Sequence, residues 1–257
     1  MLKHRIVRLL IVISGIVLAI YSYNQGHWKY LIILMVIWFL LVAWGSLDIR
    51  LGFFTKTHCS DPTMKDLKVA ITFDDGPTEF TPLALDLLKK HQVKATFFCI
   101  GKQIEKYPEI FNRIIEEGHL VGNHSYSHMK NFGFLKTDLV IEEVQKTDEL
   151  IFEGTGKKPA FFRPPFGVTN PKISRAIQKT EHHIIGWSIR SLDTATENET
   201  KILNRVMRKL HPGGVILLHD TTQKSINVLE NLLNSLSEKN YTVIPVDELL
   251  KLDAYRA

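Results

Sequence analysis

Two adjacent carboxylates, Asp74 and Asp75, end the apolar, β-favouring run Val69-Ala-Ile-Thr-Phe73 and are followed at once by Gly76-Pro77. The run reads as a buried strand and Gly-Pro as its terminator, which leaves both acids at the strand's carboxyl end. Two like charges at the rim of a core are costly unless a cation or a chemical role holds them. His124 and His128 stand four apart in Asn123-His-Ser-Tyr-Ser-His128. On one turn of helix the two imidazoles would share a face, and two His with a carboxylate suit zinc with an open position for water. Each pattern alone also fits a blander reading, a solvated Asp-Asp-Gly turn or a pair of surface histidines. Three more polar clusters follow: Arg163-Pro-Pro-Phe166-Gly167, then Asp193, then Leu217-Leu218-His219-Asp220. The Pro pair fixes the backbone after Arg163, and an arginine held beside a carboxylate lowers its pKa and locks its rotamer. His219 follows the apolar run Val215 to Leu218, so it emerges from a buried strand; beside Asp220 it could equally be a structural histidine.

The elements that must carry these residues alternate in type. Strand-like stretches fall at 69–73, 95–100, 119–122, 161–162, 184–187, 215–218 and 242–245. Helix-like stretches fall at 81–91, 108–117, 138–153, 171–180, 199–210, 225–238 and 247–252. Thr81-Pro82 and Thr137-Asp138 have the composition of helix starts. Seven βα units predict an α/β fold with a mainly parallel sheet, whose right-handed crossovers can close it into a distorted (β/α) barrel of about seven strands. All five polar clusters follow a strand, which is where such folds place their active sites.

The chain has 257 residues, 45% hydrophobic and 23% charged, with a net charge of +5. No Lys/Arg block is interleaved with aromatics, so nucleic acid is disfavoured as a partner. Of the two cysteines, Cys99 lies in an apolar run and reads as a buried free thiol, and Cys59 lies in a linker. Leu9 to Tyr23 and Tyr30 to Leu47 are uncharged and apolar, each near the ~17–25 residues that cross a hydrocarbon core. No small-x-small cleavage site follows the first, so a transmembrane helical hairpin is expected over a cleaved leader. The expected layout is two membrane helices in 1–47, a linker over 48–66 and a catalytic domain over 67–257. Lys3, Arg5 and Arg8 before the hairpin, with Arg50 and Lys56 after it, outweigh Lys29 between the helices. The positive-inside rule then puts the domain on the cytoplasmic face of the membrane.

The set Thr72-Phe-Asp-Asp-Gly-Pro77, His124-Ser-x-x-His128, Arg163-x-Pro-x-Gly167 and Leu217-Leu-His219 resembles the polysaccharide deacetylases of the NodB-homology, carbohydrate esterase family 4 type. The resemblance covers about residues 66–250. It implies a hydrolase that uses Zn2+ or another divalent transition metal to remove N-acetyl, sometimes O-acetyl, groups from amino sugars. By that likeness Asp74 is the general base, Asp75, His124 and His128 hold the metal, and His219 is the general acid. Arg163 would position Asp74, the Phe166 N–H would serve the oxyanion and Leu217 would line the acetyl pocket. One motif departs: where the family has Asp-x-x-Asp-Trp, this chain has Arg190-Ser-Leu-Asp193-Thr194. Asp193 can still orient His219, while Arg190 could attract an anionic group of the substrate. The implied partners are an N-acetylated glycan or glycolipid and the membrane. Two rivals share these residues: the two-His-one-carboxylate site of non-haem iron oxygenases, and a carbohydrate-binding protein without turnover. The Asp74/His219 acid–base pair argues for hydrolysis over both.

Overall fold

The structure is a computed structural model that describes residues 3–256. Two apolar helices lead, α1 (His4–Gln25) and α2 (Lys29–Leu47), joined at Gly26 in a left-handed conformation. Both are long and apolar enough to cross a membrane, and most of their large apolar side chains are exposed. The stretch 48–66, expected as a linker, is packed on the domain instead. Ile49 and Phe53 are buried, and Thr57–His58 forms a short strand, β1. A Cβ on Gly45 would overlap the Phe53 ring, so only glycine lets α2 approach this closely. The Ser46 carbonyl accepts a 3.0 Å hydrogen bond from the Thr169 N–H, which ties the end of α2 to the domain.

The domain then alternates: β2 (Lys68–Asp74), α3 (Thr81–Lys90), β3 (Thr96–Cys99), α4 (Gly101–Lys106), α5 (Pro108–Glu116) and β4 (Leu120–Asn123). Next come α6 (Thr137–Thr155), β5 (Lys158–Pro159), β6 (Phe161–Phe162), α7 (Pro171–Lys179), β7 (His183–Ile185) and β8 (Ile189–Arg190). The chain ends with α8 (Glu199–Arg208), β9 (Gly214–His219), α9 (Gln223–Glu238), β10 (Thr242–Val243), α10 (Val246–Leu250) and β11 (Tyr255–Arg256). Nine strands form one parallel sheet in the order β1-β7-β6-β4-β3-β2-β9-β8, with β10 alongside the start of β2. This is the distorted (β/α) barrel, curled and left open between β1 and β8. In this sheet the two strands beyond the expected seven are β1 and β8, each only two residues long, and β5 and β11 pair antiparallel in a small second sheet.

Strand alternation sorts the chemistry from the packing. Val69, Ile71 and Phe73 of β2, with Ile216 and Leu218 of β9, pack against Leu85, Leu88, Leu229 and Leu232 of the covering helices. Phe73 stacks on Phe97 with centroids 4.9 Å apart. The opposite face of the same strands carries Ala70, Val215 and Leu217 in a second cluster with Phe98 and Trp187. Thr72 and Asp74 continue that face along β2, as His219 does along β9. α3 and α6 begin at Thr81 and Thr137 without a side-chain cap of their own. The Thr81 hydroxyl is engaged elsewhere, donating to the Asp220 carboxylate.

Candidate active site

Alternation should send Asp74 and Asp75 to opposite sides of the sheet. Asp75 instead takes a positive φ of 72°, which turns its side chain back beside its neighbour. Asp74 Oδ2 then lies 3.9 Å and Asp75 Oδ1 3.3 Å from the same atom, His124 Nε2. The turn is held from below by Asp220. Its carbonyl accepts from the Thr78 hydroxyl, and a Cβ on Gly76 would sit 2.9 Å from its carboxylate oxygens. Burial raises the Asp220 pKa to about 7. This acid beneath the Asp-Gly-Pro turn was not singled out from the sequence, where it read only as a neighbour of His219.

His124 and His128 do converge, but not on a helix. They occupy a loop after β4 in which Ser125 and His128 have φ of 63° and 48°. His128 Nε2 lies 3.4 Å from Asp75 Oδ1, and the ligand atoms of Asp75, His124 and His128 all fall within 4.8 Å of one another. The His124 ring donates from Nδ1 to the Arg163 carbonyl at 2.7 Å. That bond fixes the tautomer with the Nε2 lone pair facing Asp75, the arrangement of a metal-ligating histidine. Asp75 Oδ1 is buried with no hydrogen-bond partner among the described residues. Burial opposes ionisation of Asp75, but His124, His128 and His219 hold its pKa well below the usual carboxylate range. Burial likewise opposes the charge on His124, and Asp74 and Asp75 raise its pKa nonetheless. The orphaned oxygen and these shifts express one deficit of positive charge, and the donor set fits a divalent transition metal.

Arg163 is completely buried. Its Nη1 donates to Asp74 Oδ1 at 2.7 Å and to Thr72 Oγ1 at 2.8 Å. Nε and Nη2 donate to the carbonyls of Ile185 and Gly186, both at 2.9 Å, and the guanidinium lies 4.0 Å from the Phe98 ring centroid. All three nitrogens of the fork donate, through four of its five N–H groups, and this holds the Asp74 carboxylate in place. Arg163→Met should destabilise the fold by about 3–5 kcal/mol, since it strands the buried carboxylate, and urea unfolding measures the loss. Asp74→Leu added to it should recover part of that loss; a double variant no more stable than the single would contradict the pairing.

Phe166 has φ 60°, and its half-exposed ring lies 4.8 Å from the His128 ring. Trp187, missed in the sequence, fills the space between Arg163 and Gly167. Its place at the end of a predicted strand was the available signal. Leu217 is buried in β9, two residues before His219 on the same face.

Asp193 is fully buried and fixes His219 twice, from Nδ1–H to Oδ1 at 2.9 Å and from the backbone N–H to Oδ2 at 2.8 Å. Ser191 and Ser225 donate to the same carboxylate at 2.7 and 3.2 Å. His219 Nε2 is thereby left facing Asp75 Oδ2, 3.9 Å away. Burial disfavours its charge, yet Asp193, then Asp74 and Asp75, raise the His219 pKa to about 9. An imidazolium that donates a proton loses function above its pKa. Asp193→Asn should therefore move the alkaline limb of kcat/KM to lower pH, and a limb that stays put would assign it to another group.

Arg190 is not brought to these groups. It stands exposed on the edge strand β8, outside β9 in the sheet, with its guanidinium 5.5 Å from the Trp187 ring centroid, and lines a cleft beside the end of α2 that Trp187 also lines.

A profile of the polysaccharide deacetylase family matches residues 61–185. The chain is 37% identical over 194 residues to a peptidoglycan-N-acetylglucosamine deacetylase of Bacillus cereus, covering 74% of this chain and 70% of that protein. It is 34% identical over 206 residues to the peptidoglycan-N-acetylmuramic acid deacetylase PdaC of Bacillus subtilis, covering 78% of this chain and 42% of that one. The crystal structure of the Bc1960 peptidoglycan N-acetylglucosamine deacetylase superposes with a TM-score of 0.73 at 36% identity, over 78% of this chain and 95% of that one. The curled parallel sheet superposes on that of a solved deacetylase and the sequence matches the family along the same stretch, so the chain belongs to the polysaccharide deacetylase family.

Proposed function

We propose that this chain is a membrane-anchored, zinc-dependent hydrolase that removes N-acetyl groups from the amino sugars of peptidoglycan. The observation that carries the reading is the meeting of Asp75, His124 and His128 within 4.8 Å, with Asp74 and His219 on either flank. A metal bound there supplies Lewis-acid polarisation of the acetamide carbonyl and acidifies water to a pKa of about 7.

The remaining steps belong to the chain. Asp74, with Oδ1 held by Arg163, presents Oδ2 as the base that takes the proton of the attacking water. The Phe166 N–H is assigned to the oxyanion that develops on the carbonyl, a contribution of ~3–4 kcal/mol where such donors have been removed. Leu217 is assigned to the wall against the acetyl methyl. His219, protonated through Asp193, passes its Nε2 proton to the departing amine. Residues 1–47 serve as the membrane anchor and 67–257 as the catalytic domain.

Incubating the protein with N-acetylglucosamine oligomers and with peptidoglycan fragments should release acetate and an equal amount of free amine. Acetate from O-acetylated sugars without new amine would make the chain an esterase. Binding without acetate would make it a carbohydrate-binding protein. Metal analysis of the active protein separates zinc from iron. Peptidoglycan lies outside the membrane, whereas the flanking lysines and arginines favour an inward domain. A reporter active on one side only, fused to the C-terminus, decides between the finished wall and a membrane-carried precursor as acceptor.

A further inference from the structure

At the carboxyl end of α2 lies a cleft of about 360 Å³ that the reacting groups do not line. Its walls carry four cations, Arg50, Arg190, Arg205 and Lys209, against one carboxylate, Asp48. Arg50 already holds that carboxylate through Nε at 2.7 Å and Nη2 at 2.6 Å. Among the described residues no ion pair takes up Arg190, Arg205 or Lys209. Arg205 Nε donates to the backbone carbonyl of Arg190 at 3.1 Å, and the Arg190 guanidinium lies 5.5 Å from the ring centroid of Trp187, which lines the same cleft. Burial, and then the charges of Arg205, Arg50 and Arg208, push the Lys209 pKa down. Unpaired cations gathered around a concavity repel one another until an anion enters.

The cleft is also continuous with apolar surface. Trp44 and Leu47 line it, and with Leu40 they form an exposed stripe spaced four and three residues apart along α2. Tryptophan near the end of a spanning helix sits at headgroup level, and cations beside it meet lipid phosphates. We propose that this cleft seats the phosphate of an anionic phospholipid, whose acyl chains lie along the Leu40–Trp44–Leu47 stripe. The proposal rests on the reading of α1 and α2 as membrane-spanning. A soluble anion would account for the cations but not for the stripe that leads to them.

The test uses the full-length protein in nanodiscs of phosphatidylcholine mixed with phosphatidylglycerol, with native mass spectrometry to count the lipids it retains. The protein should retain phosphatidylglycerol in preference to phosphatidylcholine. Arg205→Gln with Lys209→Gln should reduce that preference about 30-fold, taking the usual worth of two cations near a lipid surface. Lys89→Gln with Lys239→Gln, which removes as much charge from exposed sites elsewhere, should leave it intact. Lys209→Glu repeats the test at an exposed side chain without touching the Arg205 bond. Equal preference in wild type and cleft variants, or equal loss in the control, overturns the proposal. Retention of a polyprenyl phosphate with phosphatidylglycerol ignored also overturns it and gives the cleft to a substrate. An alkaline carbonate wash of membranes tests the spanning reading by itself. Release of the protein there would overturn that reading whatever the lipid preference.

Discussion

His128→Ala is expected to strip the protein of its metal and to lower kcat/KM about a thousandfold or more. Three protein ligands leave an open position for chemistry, and two leave an ion that solvent removes. The lost Lewis-acid term is several kcal/mol, and each ~1.4 kcal/mol is a factor of ten. His128 is the informative ligand to remove, because it sits on a loop and is partly exposed, whereas His124 is buried and bonded to the Arg163 carbonyl. The fold should therefore survive, and melting curves of the variant and of the metal-free wild type should coincide. Elemental analysis beside kcat/KM provides the readout. Full activity in a protein shown to be metal-free would remove the hydrolase mechanism proposed for this site.

Asp74→Asn should lower kcat by ~10²–10⁴ while metal content stays at the wild-type level. The adjacent acid is the one assigned to the ion, so the two aspartates are separable by experiment despite being sequence neighbours. Asn keeps the shape and can still accept from Arg163, but it cannot take a proton from water. A group that acts only in the transition state shows its loss in kcat with KM little changed. The opposite pattern, a raised KM with kcat intact, would recast Asp74 as a binding residue and leave the base unassigned.

Much of this site could be read from the chain because strand alternation and strand ends are strong signals. Ala70, Thr72 and Asp74 share one face in the sequence pattern as they do in the sheet, and so do Val215, Leu217 and His219. What could not be read has specific causes. The spacing of His124 and His128 is that of a helical turn, and only the left-handed backbone at Ser125 and His128 makes it a loop. The edge strands β1 and β8 are two residues long, too short for any period to show. The stretch 48–66 looked like a tether because its apolar residues, Ile49 and Phe53 among them, are scattered rather than periodic. Arg190 stands at a family motif position in the sequence, and its place on the edge strand, with its guanidinium over Trp187, depends on sheet order that no local pattern shows. Asp220 gave no sign of its role, since it accepts from Thr78, 142 residues earlier in the chain, out of reach of any local pattern.

The bond from Thr169 to Ser46 sits three residues from Phe166. With α2 embedded in a bilayer, this short connection leaves no leash between membrane and catalyst. The enzyme would work at one fixed height, and its glycan would have to be delivered to that level. Were the finished wall the acceptor, sugars in the layer nearest the lipid would be modified first and those farther out spared; were it a membrane-carried precursor, every unit would pass at the same height.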